Sequence, residues 1–223
     1  MPDLIKICGL TTPETLEAAI EAGADLVGFV WYEKSPRHID FVKGTRLSAR
    51  VKGRARRVAL TVNATNEELD EVTRAFSPDI LQLHGAEPPQ RVRDIAKRYH
   101  LPVIKAIGID NAADIETIER YRDAADYLLL DAKPAPGAVL PGGNGLVFDW
   151  KLVSNLDPSI RFMLSGGLTP DNVAEAIAET HINAVDVSSG VESSPGVKDI
   201  GKIRAFIAAA RQAWYHGWEV SGQ

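Results

Sequence analysis

The sequence predicts an α/β fold, a single-domain (β/α)8 barrel. Two observations carry that prediction. Short apolar runs alternate with amphipathic stretches eight times along 223 residues, and no shift in composition marks a domain boundary. The apolar runs are also hydrophobic enough to be covered on both faces, as strands of a parallel sheet are. Eight strand–helix units in a chain of this length fall within the barrel range; a doubly wound open sheet is the less favoured architecture.

The predicted strands are Leu4–Cys8, Asp25–Val30, Arg57–Val62, Asp79–His84, Pro102–Ile107, Asp126–Asp131, Arg161–Ser165 and Ala184–Ser188. Helical segments are expected to begin near Thr12, Asp40, Asn66, Glu87, Asn111, Asp149 and Thr169, and after Asp199. Thr12-Pro13-Glu14, Asn66-Glu67-Glu68, Glu87-Pro88-Pro89 and Thr169-Pro170-Asp171 combine capping oxygens, early proline and acidic residues, which suit the free N–H groups of a helix start. Ala22-Gly23 and Val51-Lys52-Gly53 supply matching stop signals. Two segments break the rhythm: Trp31 to Ile39, and Ala132 to Val147 with its three prolines and four glycines. Both follow strand C-termini, the catalytic face of such barrels, where long Gly/Pro-rich loops usually bind or cover ligands.

Composition narrows the function. With 45% hydrophobic and 25% charged residues, the chain reads as an ordinary soluble globular protein. A net charge of −5, with Arg54, Arg56 and Arg57 as the nearest thing to a basic cluster, argues against nucleic-acid binding. A single cysteine excludes an internal disulfide and a Cys/His zinc framework, which makes a reducing cytoplasm the expected setting. No apolar run approaches the roughly 18 residues of a membrane span.

Strand parity selects the candidate site residues. The helix-facing side of each strand should be apolar, so the polar set points into the barrel. That rule sends Lys6 and Cys8, Gln82 and His84, Tyr127, Leu129 and Asp131, and Asp186 and Ser188 inward. Cys8, His84, Asp131, Asp186 and Ser188 then gather at one rim from four strands. Taken alone, Cys8 reads more readily as a small core hydrophobe, as most buried cysteines are. After strand seven comes Ser165-Gly166-Gly167-Leu168-Thr169-Pro170, and after strand eight Ser188-Ser189-Gly190-Val191-Glu192. Gly166, Gly167 and Gly190 let backbone N–H groups approach a ligand, Ser188 and Ser189 add hydroxyls, and a short helix after Gly190 is expected to complete a phosphate site.

Read together, these motifs resemble the phosphoribosylanthranilate isomerases, TIM-barrel enzymes of tryptophan biosynthesis. The resemblance runs from Lys6 to about Ile207. It rests on Lys-Ile-Cys-Gly-Leu-Thr at 6–11, Gly-Phe-Val at 28–30, Ser-Pro-Arg at 35–37, Leu-Gln-Leu-His-Gly at 81–85 and Leu-Leu-Leu-Asp at 128–131. Gly-Gly-Asn-Gly with Phe-Asp-Trp at 142–150, Ser-Gly-Gly-Leu-Thr-Pro-Asp-Asn at 165–172 and Val-Asp-Val-Ser-Ser-Gly-Val-Glu at 185–192 complete the set. The chain departs from the family at Asn144, where threonine is common in the lid loop formed with Gly142 and Gly143. It departs again in a tail from about Trp214 to Gln223, expected to extend past the last helix.

The resemblance implies an Amadori rearrangement of N-(5-phosphoribosyl)anthranilate, with Asp131 as general acid and Cys8 as general base. It also implies that Arg37 meets the anthranilate carboxylate, Asp186 contacts the amine and His84 helps position the substrate. For Arg37 a surface salt bridge, and for His84 a purely structural role, are the competing readings. Chemistry asks for an aspartate with a raised pKa and a thiol with a lowered one. Lys6 is either a positive neighbour of that thiol or a partner in a buried ion pair. No metal or organic cofactor is implied. The expected partner is a small phosphorylated substrate, with no nucleic acid or membrane, and the protein is expected to be a monomer or homodimer. The competing functions are the related histidine-pathway Amadori isomerase, a lyase resembling indole-glycerol-phosphate synthase, and a silent phosphosugar-binding protein.

Overall fold

In the computed structural model the described residues are 3–133, 140, 142, 143 and 145–221, with backbone alone over 216–221. Eight parallel strands close into a barrel in sequence order: β1 Leu4–Cys8, β2 Leu26–Trp31, β3 Arg56–Thr61, β4 Ile80–Leu83, β5 Val103–Ile109, β6 Tyr127–Ala132, β7 Phe162–Leu164 and β8 Ala184–Val187. Closure is made by β8 on β1, with Lys6 opposite both Leu26 and Asp186. Around it stand α1 Pro13–Glu21, α2 Phe41–Val51, α3 Asn66–Phe76, α4 Pro89–Tyr99, α5 Ile115–Tyr121, α6 Val173–Thr180 and α7 Ile200–Ser221. Among the described residues no helix is long and apolar enough to cross a membrane.

Helix starts follow local chemistry. Thr12 caps α1 by accepting from Thr15 N, and Asp40 caps α2 by accepting from Lys43 N at 2.7 Å. Thr65 and Glu68 form a reciprocal capping box at α3, one residue before the expected cap. At α4 the expectation fails: Pro88 is the N-cap without a side-chain cap bond, and Glu87 turns inward to pair with Lys105 at 3.0 Å.

Two further expectations need correction. A helix from Asp149 does not form; Asp149 caps only a 3-10 turn, Trp150–Leu152. Ser154, Asn155, Asp157 and Pro158 crowd the residues that follow, and these favour turns over helix propagation. The final helix, by contrast, continues through Ser221, so Trp214 to Ser221 are not a tail beyond it. Trp214 is buried and its indole N–H donates to Ile182 O at 2.7 Å, which docks this end of α7.

Alternation along the strands divides the core. Ile5, Ile7, Val27, Phe29, Leu81, Leu83, Leu128, Leu130, Val185 and Val187 face the helices. Leu26, Val58, Ile80, Ile104, Leu129 and Met163 fill the lower lumen, and Cys8, Val30 and Leu60 cluster above them. The barrel is therefore packed shut below and polar only towards its C-terminal mouth.

Candidate active site

That mouth opens on a cavity lined by Cys8, Arg37, His84, Asp131, Asp186 and Ser188, among others. The residues that parity sent inward do converge there. Cys8 ends β1 and is 4% exposed. Its register partner on β2 is Gly28, where an added Cβ would stand 3.0 Å from the Cys8 Sγ; the missing side chain makes room for the thiol. The Ser188 hydroxyl donates to Cys8 O at 3.2 Å, tying the loop after β8 to the end of β1.

Lys6 lies one inward position below the thiol and is fully buried. Its Nζ donates to Asp186 Oδ1 at 2.7 Å, and Ser165 Oγ donates to the other oxygen at 3.0 Å. Both readings of Lys6 hold: it is paired with Asp186 in a buried ion pair and is also a positive neighbour of the thiol. Burial alone would lower the lysine pKa, but attraction to Asp186 and Cys8 outweighs it and the pKa is raised. The thiol pKa is raised too, chiefly by burial, with Asp186 adding and Lys6 and Lys198 opposing. A thiol tuned downward is therefore not what the fold provides: loss of solvent outweighs both cations.

Asp131 sits near the end of β6 with Oδ1 accepting from the N–H of Ala132 at 2.9 Å. Oδ2 lies 3.5 Å from His84 Nε2, whose other ring nitrogen is 3.0 Å from Gln82 Nε2. Gly142 lies directly against this pair: a Cβ there would be 2.4 Å from His84 Nε2 and 2.6 Å from Asp131 Oδ2. Leu146 and Val147 continue across the mouth onto Gly167. Asn144 lies outside the described residues.

Arg37 is buried, not on the surface. Its Nε and Nη2 donate to the two oxygens of Glu192 at 2.7 and 2.9 Å, and Nη2 also reaches Gly143 O at 3.3 Å. One edge of the guanidinium fork is thus already occupied; on the other edge Nη1 lies against Gly143, where an added Cβ would stand 2.7 Å away, and both residues line the cavity.

On the phosphate side, Gly166, Gly167, Ser188 and Ser189 line the cavity, with positive φ at both glycines (82° and 62°). Gly190 does not line it. A Cβ there would fall 1.8 Å from Leu168 O, so this glycine lets the loops after β7 and β8 touch. The expected helix after Gly190 is also absent. A 3-10 turn, Ser189–Val191, gives way to a small antiparallel hairpin, β9 Glu192–Ser194 and β10 Val197–Lys198. Pro195-Gly196 favours a tight turn there over helix propagation. Among the described residues no group of His, Cys, Asp and Glu could hold a metal ion.

A family model described as N-(5'-phosphoribosyl)anthranilate isomerase matches residues 5–209. The chain belongs to that family. It is 53% identical over 210 residues to the N-(5'-phosphoribosyl)anthranilate isomerase of Nitrobacter winogradskyi, covering 94% of this chain and 93% of the relative. Its fold is similar to that of phosphoribosyl anthranilate isomerase from Thermotoga maritima, with a TM-score of 0.85 and 40% identity over 95% of this chain and 100% of the other. It is also similar (TM-score 0.82, 39% identity, 95% and 100% coverage) to a phosphoribosyl anthranilate isomerase solved with reduced 1-(o-carboxyphenylamino)-1-deoxyribulose 5-phosphate.

For this isomerase-family chain, sequence reasoning missed Gly28, Ser165, Glu192 and Lys198 as site-building residues. Gly28 and Ser165 were recoverable: Gly28 holds an inward position midway along β2, and Ser165 the first inward position past β7. Glu192 ended the motif at 185–192 without a role and Lys198 gave no signal, because their pairing depends on a hairpin where a helix was expected.

Proposed function

We propose that this isomerase of tryptophan biosynthesis rearranges N-(5-phosphoribosyl)anthranilate with Asp131 as general acid and Cys8 as general base. The supporting observation is that the two groups, carried by β1 and β6, face one cavity that is also lined by the glycine- and hydroxyl-bearing turns after β7 and β8, which suit a phosphate. Asp131 gives its proton to the furanose ring oxygen as the C1–O bond breaks and the nitrogen lone pair forms the C1=N bond. Cys8, as thiolate, takes the proton from C2; the C–H electrons form the C1=C2 bond of an enolamine, which tautomerises to the ketone.

Arg37 receives the anthranilate carboxylate on its outer edge, Asp186 lies within the amine's side of the cavity, and His84 holds Asp131 in orientation. The cavity has ≈ 70 Å³ of free space, against at least ~300 Å³ in ordinary ligand pockets, so Gly142, Gly143, Gly145 and Leu146, which line it, give way to admit substrate.

The test is loss of substrate fluorescence on incubation with freshly generated phosphoribosylanthranilate, with Cys8→Ala and Asp131→Asn alongside. Wild type turns over and each variant loses at least ~10²–10⁴-fold in kcat. An inert wild type removes the activity; an active Cys8→Ala moves the base elsewhere.

A further inference from the structure

Behind Arg37, outside the cavity lining, two charged side chains, Glu192 and Lys198, are buried with it. Glu192 accepts from Arg37 on both oxygens and from Lys198 Nζ at 2.8 Å. Arg37, Glu192 and Lys198 are each 6–7% exposed. Buried ion pairs seldom stabilise a fold beyond what apolar side chains would give, so their value here lies in geometry and charge. The geometry is specific. Lys198 stands opposite Glu192 in the β9–β10 hairpin, and its ammonium also donates to Ser188 O at 2.8 Å and approaches Ser188 Oγ at 3.2 Å. Glu192, through Lys198, thus connects the arginine to the serine turn.

The hairpin is seated by its own turn. Gly196 N donates to Glu192 Oε2 at 3.1 Å, and a Cβ at Gly196 would stand 2.4 Å from Pro36 O, in the turn that carries Arg37. Gly196 also has φ 82°, so the close approach and the conformation both require glycine. Burial is the largest influence on Glu192 and would raise its pKa, but the two cations outweigh it and hold the carboxyl below its ordinary value. The group remains an anion between two cations, leaving one net positive charge beside a site for an anionic ligand.

We propose that Glu192 and Lys198 are positioning residues forming a clamp: Glu192 fixes the inner edge of Arg37 so that the outer edge meets the substrate's carboxylate, while Lys198 fixes the Ser188 turn for its phosphate. The proposal rests on the substrate reading above. Neither residue touches the reacting atoms; each acts through its neighbour.

Two ligands separate the limbs of the clamp: the reduced product analogue with its ring carboxylate, and the same compound made from aniline without it. Glu192→Gln weakens binding of the carboxylated analogue by about 10–100-fold, as expected for charge-assisted hydrogen bonds, and barely changes the other. In turnover it raises KM far more than it lowers kcat. Arg37→Ala combined with Glu192→Gln is no worse than Arg37→Ala alone. Lys198→Met weakens both analogues alike, since both carry the phosphate. Gly196→Ala keeps all three charges yet shifts the hairpin, and reproduces the carboxylate-selective loss in milder form should Glu192→Gln fold poorly.

Equal weakening of both analogues by Glu192→Gln and Gly196→Ala, or losses that multiply with Arg37→Ala, overturns the clamp. A wild type that binds neither analogue defeats the substrate reading instead. In that event the Arg37 Nε–H resonance still decides the clamp: slow to exchange in wild type and fast in Gly196→Ala supports it, and no difference overturns it.

Discussion

Replacing Lys6 with methionine tests what the ion pair inside the barrel is for. Lys6 is 0% exposed, its ammonium is 2.7 Å from Asp186, and among the described residues Ser165 is the other side chain donating to that carboxylate. Methionine matches the volume of lysine closely, so the cost is electrical: a buried carboxylate loses its cation. Breaking one side of such a pair costs about 3–5 kcal/mol. With a urea slope near 3 kcal/mol per molar, the unfolding midpoint falls by about 1–1.7 M. Circular dichroism and tryptophan fluorescence should give coincident transitions for that conversion to hold.

The double variant Lys6→Met with Asp186→Leu recovers most of the loss, because replacing both charges with apolar groups is often neutral or better. Its catalytic activity stays lost. The sign of the pH effect follows from Lys6: burial would lower its pKa, but Asp186 and Cys8 raise it above the ordinary value. A raised lysine stabilises the native state fully below its unfolded value of ~10.4 and loses that contribution as pH rises past it, so the deficit of Lys6→Met narrows only in alkaline solution. A loss below about 1 kcal/mol, or a deficit that widens above about pH 10, refutes the reasoning.

Two further predictions follow from side-chain packing. Because burial raises the Cys8 pKa and the thiolate is the reactive form, kcat/KM climbs with pH through and beyond the ordinary thiol value near ~8.5. A pH profile that reaches its plateau below about pH 7.5 contradicts that direction. Gly44→Ala lowers stability although alanine is the better helix former. A Cβ at Gly44 would lie 2.1 Å from the ring of Phe76, which is fully buried and packed edge-on against Phe29 and Phe41. Overpacking of up to about 3 kcal/mol outweighs a helix gain of about 1 kcal/mol, so thermal unfolding shows a lower melting temperature; a higher one refutes it.

The barrel was legible because strand parity is a period-two rule enforced by burial on both faces. Ile5 and Ile7, or Val185 and Val187, could only face the helices, which left Lys6, Cys8, Asp186 and Ser188 for the lumen. Where the rule stopped, so did the reading. The turn-forming residues from Ser154 to Pro158 cut short a helix that Asp149 seemed to start, and the residues after Gly190 turned back as a hairpin. Arg37 shows the consequence most clearly. The Ser-Pro-Arg turn marked it as a candidate, but nothing local to that turn indicates that Glu192, 155 positions later, occupies half of its guanidinium. Long-range partners of this kind depend on how the loops after β2 and β8 meet, which neither loop encodes alone.

The direction of the thiol's pKa shows how position in the barrel decides an electrostatic outcome. Lys6 lies on the same strand and the same side as Cys8, and by itself would draw the thiol towards ionisation. But Lys6 is already paired with Asp186, and seen from the sulfur the two charges act in opposite directions. An ion pair at short range presents mostly a dipole, so its effect largely cancels while the desolvation from Val30, Leu60 and the barrel wall does not. Burial then sets the direction. The same pairing explains how a lysine is accommodated in the lumen at all: the charge that would activate a base is also the charge that meets Asp186 at the floor of the cavity.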